Sequence, residues 1–178
     1  MFRKILSYGL IAGVIAGGGL YAMTVWPSHS LGGSLSMVIG YLTMLVALTA
    51  IFVAVKRHRD VDLGGVIRFW PALALGLGIS LVAGILYAAA WDLTLAVTHM
   101  DFAGGYARAM IAQQQARGVS GAALAKVTAE MDAFKAQYAN PFYRWPMTFI
   151  EIFPVGVLVS LISAGLLRNP RFLPVKRT

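Results

Sequence analysis

Four stretches of this chain are apolar enough, and long enough, to cross a lipid bilayer, and that feature excludes most of the folds open to 178 residues. Roughly 20 residues rising about 1.5 Å each cover a hydrocarbon layer ~30 Å thick. The windows fall at about 5–26, 34–55, 70–98 and 146–167. Inside lipid every peptide group must find its partner within the protein, so segments of this length cross as helices. The expected fold class is all-α: a four-helix transmembrane bundle forming a single membrane domain over 1–178, with an amphipathic helical hairpin in the outer loop (99–145) between the third and fourth spans. A content of 58% hydrophobic and 12% charged residues, against about half and a quarter in soluble domains, agrees.

The formal charge of +8 does not point to nucleic acid, because the basic residues flank the apolar windows instead of forming one patch. Arg3 and Lys4 precede the first span, Lys56, Arg57, Arg59 and Arg68 separate the second from the third, and Arg168, Arg171, Lys176 and Arg177 follow the fourth. The other side has a turn without Lys or Arg at 27–33 and a long loop in which Arg108, Arg117, Lys126, Lys135 and Arg144 are diluted. The positive-inside rule then places both termini in the cytoplasm. Arg3-Lys4 ahead of an apolar run also resembles a signal peptide; the length of the run, and Leu20 in the small-residue slot before a cut after Ala22, argue for a retained helix.

Small residues recur every four positions in three of the four spans. Gly9, Gly13 and Gly17 do so in the first, Ala72, Gly76, Ser80, Gly84 and Ala88 in the third, and Gly156, Ser160 and Ala164 in the fourth. In lipid such stripes let neighbouring backbones approach closely, which predicts tight helix packing. In the outer loop, Leu124, Val127, Met131, Phe134 and Tyr138 alternate spacings of three and four, the period of an amphipathic helix. Ser120 marks its start and Asn140-Pro141 its end, Lys126 and Glu130 can pair across one turn, and a second helix is expected over 106–117. The hairpin is read as a lid on its own protein or as a contact for another membrane or periplasmic protein.

Two acids lie inside apolar windows. Asp92 falls about 10 Å before His99, and Glu151 about 6 Å past Met147 in a helix running the other way, so the two share a depth. Pro154 has no N–H for the Ile150 carbonyl, which leaves an acceptor beside Glu151. An intramembrane acid in contact with lipid tails costs up to about 3 kcal/mol and should find a partner inside the protein; Arg144, His99, Tyr87 and Asp92 are the candidates. One reading makes Asp92, Glu151 and the Ile150 carbonyl a site for a proton or cation, and the other makes them a structural lock. No metal, nucleophile or phosphate motif is visible, His29 and His58 are lone turn histidines, and the absence of cysteine excludes thiol chemistry. No catalytic residue, cofactor or metal is therefore expected.

The segments YGLIAG (8–13), GYLTM (40–44), RDVDLGGVIRF (59–69), YAAAW (87–91), YANP (138–141) and FIEIFPVGVLVSLISA (149–164) resemble the small bacterial membrane proteins of domain of unknown function 4199, in order and over about 5–168. The resemblance implies a four-helix integral membrane protein with a helical outer loop and no established activity. Its recurrent acid-proline element falls on Glu151 and Pro154. The leading expectation is a non-enzymatic protein with a structural or partner-binding role in the lipid bilayer, open to homo-oligomer formation. The alternative is a small proton- or cation-linked transporter or channel using the acidic pair.

Overall fold

The computed structural model describes residues 1–25 and 33–174. Residues 27–32 of the turn with His29, and Lys176 and Arg177, lie outside the described residues. The chain is all-helical: α1 (Phe2–Val25), α2 (Gly33–Arg57), a π-helical turn (His58–Asp62), α3 (Phe69–Thr98), α4 (Phe102–Ala116), α5 (Gly121–Tyr138) and α6 (Pro141–Leu167), with no strand among the described residues. Four helices are long and apolar enough to cross a membrane: α1, the helix running from α2 through the π turn, α3 and α6. Their outward surfaces carry large apolar side chains, Val14, Val46 and Ile150 each about two-thirds exposed (67%, 64% and 67%). Apolar exposure on that scale along four helices suits contact with lipid and not with water. This is a multi-pass membrane protein.

The fourth span begins at Pro141, five residues before the expected 146. Asn140 explains the difference: its side-chain oxygen accepts from the Phe142 backbone N–H at 3.0 Å, and proline at the first helical position gives up no intrahelical bond. The helix then continues unbroken past Pro146 and Pro154 to Leu167.

Two compact units divide the chain: a main unit of 1–91 and 148–178, and a second unit of 92–147. In the main unit the small-residue stripes are the seams. A methyl group on Gly9 or Gly13 would stand 2.6 Å from the Val82 or Leu86 Cβ, and one on Gly17 would stand 2.6 Å from the Ala90 Cβ, so α1 lies directly on α3. On α1's other side Gly19 is tight against Thr43 of α2. Between α3 and α6 the fit is reciprocal, with Gly76 facing Ser160 and Gly156 facing Ser80 at 2.6–2.8 Å from the missing Cβ. Ser80 and Ser160 donate to the Gly76 and Gly156 carbonyls one turn back, so no polar hydrogen meets the apolar core. Around these seams Leu48, Ile51, Leu75, Ile79 and Ile152 are fully buried.

In the second unit α4 and α5 meet through aromatic rings, Phe102 and Phe134 each against Tyr138 (5.5 and 5.3 Å) and Tyr106 against Phe134 (5.4 Å). The periodicity of α5 is as expected: Leu124, Val127, Met131, Phe134 and Tyr138 are its partly or fully buried positions, joined by Thr128. Asp101 caps α4 by accepting from the Gly104 N–H at 2.8 Å. Ser120 occupies the N-cap of α5 without a side-chain cap bond. Lys126 and Glu130 stand 4.0 Å apart.

Candidate functional site

Glu151 owes its place to the seam between α3 and α6. Two residues before it, the Phe149 ring fits over Gly84 of α3, 2.6 Å from where a Cβ would stand, and stacks on Phe153 at 4.8 Å. Gly84 thus positions an aromatic ring of α6, while Gly76 and Ser80 receive the small residues. With Phe149 and Ile152 packed inward, Glu151 comes beside Tyr87, whose ring is buried and whose hydroxyl hydrogen-bonds to the Glu151 carboxyl. Both groups lie deep in their helices: ten residues after Pro141 and eleven before Thr98 are each about 15 Å of helix. The start of α6 at Pro141 is the reason Glu151 stands this far from the beginning of its helix.

The carboxyl opens onto a groove of about 280 Å³ inside the main unit. Its walls are Ala16, Leu20, Met23 and Thr24 of α1, Met37, Gly40, Tyr41, Thr43 and Met44 of α2, Tyr87 of α3 and Glu151 of α6. Thr24 and Thr43 spend their hydroxyl protons on the Leu20 and Ile39 carbonyls, both at 2.9 Å. Sequence reasoning found Glu151 and Tyr87 but not the α1 and α2 walls, because no period marks a groove shared by four helices. Among the described residues no three His, Cys, Asp or Glu side chains gather as metal ligands.

Asp92 belongs to the second unit and has partners of its own. The Arg144 Nε donates to one carboxylate oxygen and the Trp145 indole N–H to the other, both at 2.6 Å. Arg144 also donates to the Tyr138 carbonyl at 3.0 Å and lies 5.7 Å from the centre of the Tyr138 ring. Of the candidates for Glu151, Tyr87 is thus its hydrogen-bond partner and Arg144 is taken up by Asp92. His99 ends α3 with a left-handed backbone (φ 51°) and an exposed side chain.

A third charged cluster was legible only as a basic turn. Arg59, within the π turn, is fully buried. Its guanidinium donates to the Asp60 carboxylate (2.6 Å) and to the carbonyls of Leu167 (3.5 Å), Phe172 (2.9 Å) and Leu173 (2.6 Å), gathering in the chain that follows α6. Lys56 holds the other Asp60 oxygen at 2.5 Å, and Asp62 takes both His58 (2.5 Å) and Lys4 of α1. The signal was two acids inside an otherwise basic turn.

No curated protein and no solved structure matches the chain. Residues 7–169 match the family described as "Protein of unknown function (DUF4199)". With nearly its whole length covered, and with the four long apolar helices that the resemblance implied, the chain belongs to that family.

Proposed function

We propose that the chain is a non-enzymatic protein of the bacterial cytoplasmic membrane, with both termini cytoplasmic, in which a four-helix bundle serves a structural or partner-binding role. The observation that carries this reading is the closure of the main unit's seams: wherever Gly9, Gly13, Gly17, Gly76 or Gly156 meets a neighbour, not even a methyl group fits within 2.8 Å. Packing that tight favours a rigid element over a water-filled path. The engagement of both Asp92 oxygens, one by the Arg144 cation and one by Trp145, supports it too, since an acid so paired is held as a structural ion. The contact surface would be the helical hairpin of α4 and α5, whose apolar stripe is only partly covered, and the partner another membrane or periplasmic protein or a second copy of the chain. Crosslinking in native membranes followed by purification should recover a defined complex joined through 102–138. Recovery of the uncrosslinked monomer alone would refute the reading.

A second reading is favoured by the groove. Glu151 inside a span, open to about 280 Å³, is placed as the acid of a proton- or cation-linked transporter would be. It calls for cation- or pH-driven flux in proteoliposomes that Glu151→Gln abolishes; flux indifferent to that substitution removes it.

A further inference from the structure

We propose that the groove bounded by Glu151 and Tyr87 is a binding site for a small lipophilic monocation, an organic ammonium bearing one short apolar group. The inference goes beyond both readings above, because it requires equilibrium binding and no passage across the membrane.

The hydrogen-bonding capacity of the walls selects the charge. Tyr87 gives its single proton to Glu151, and Thr24 and Thr43 give theirs to backbone carbonyls. The Tyr41 hydroxyl is the one further side-chain donor among these walls, against the acceptor oxygens of Glu151 and the three other hydroxyls, so the groove offers an anion little. A carboxylate offers about four lone-pair sites, and one phenol fills only one of them. Among the described residues, none of the ion pairs includes Glu151. A charge in surroundings of low dielectric is costly unless compensated, so a cation arriving from the groove supplies what the protein does not.

The remaining walls select the kind of cation. A hard metal ion wants six or more oxygen ligands, several of them carboxylates, and Glu151 is the only carboxylate among the walls. Met23, Met37 and Met44 line the opening instead, and methionine adapts to irregular apolar shapes. Tyr41 contributes an aromatic ring of the kind that attracts organic ammonium groups. A volume of about 280 Å³ lies at or below the lower end of ordinary ligand pockets. One ammonium head and one small ring suit that space.

The test is binding of radiolabelled benzyltrimethylammonium to the full chain in detergent, with its neutral carbon isostere neopentylbenzene as competitor. Saturable binding that the isostere fails to displace is expected, weakened by about tenfold or more in Glu151→Gln, the loss usual when one member of a desolvated charge pair is neutralised. Gly40→Leu supplies a second variant that leaves the acid untouched. Gly40 lines the groove, and an added Cβ there meets nothing within 4 Å, so its side chain should occupy the space and abolish binding while the thermal midpoint holds. The proposal is overturned if the folded wild-type chain binds no cation, if binding survives in whichever of the two variants folds, or if the neutral isostere competes equally, which would make the groove a seat for lipid chains.

Discussion

Arg59 and Glu151 are both charged side chains carried by apolar helices of the same unit, and they are treated in opposite ways. Arg59 is enclosed on all sides by one carboxylate and three carbonyls, every partner supplied by the chain itself. Glu151 receives one hydrogen bond, from Tyr87, and otherwise borders a groove. A buried charge whose whole shell is built in is part of the framework, because removing it strands its partners. A charge whose shell is left incomplete is where something else can bind. Asp92 falls between them, with two donors on its two oxygens and about a quarter of its side chain exposed (26%).

If that contrast is right, the cost of neutralising each charge should follow the number of partners built in. Arg59→Leu should be the most damaging, lowering stability in detergent by about 3–5 kcal/mol, as expected when one member of a buried ionic cluster is deleted; a thermal midpoint near that of the wild type would break the comparison at its strong end. Asp92→Asn should cost about 1–2 kcal/mol, since the amide keeps one acceptor but turns an N–H toward a donor. Glu151→Gln should cost least, under about 1 kcal/mol, because the amide oxygen can still accept from Tyr87. A loss for Glu151→Gln as large as that for Arg59→Leu would show the acid to be framework as well.

The sequence foretold the architecture well where a single helix carries the information. Four apolar windows became four long helices, and the stripes through Gly13, Gly76 and Gly156 became seams, because a period of four along one helix is visible without knowing its neighbour. The stripe on α5 was legible for the same reason. What escaped depends on chain segments far apart. Arg59 sits among Lys56, Arg57 and Arg68 with nothing in its own spacing to set it apart, and its burial follows from Phe172 and Leu173 folding back more than a hundred residues later. The start of the last helix was placed too late because proline at 141 and 146 reads as a boundary, whereas the first opens α6 and the second is carried within it. Arg144, a candidate partner for Glu151, pairs with Asp92 instead, whose other oxygen accepts from Trp145, an indole with no acid-binding signature of its own.

Gly19 has a consequence for motion. The glycines at 9, 13 and 17 repeat once per turn, so on their own they would let α1 slip along α3 by about 5.4 Å and find nearly the same bed again. Gly19, on the opposite side, has no such repeat: a slip of one turn would bring Ile15 or Met23 against Thr43, where not even a methyl group fits. That lone glycine works like the second scale of a vernier, fixing α1 at one of several otherwise equivalent stops. Any shift of the helix that accompanies filling of the groove must then be a tilt and not a slide.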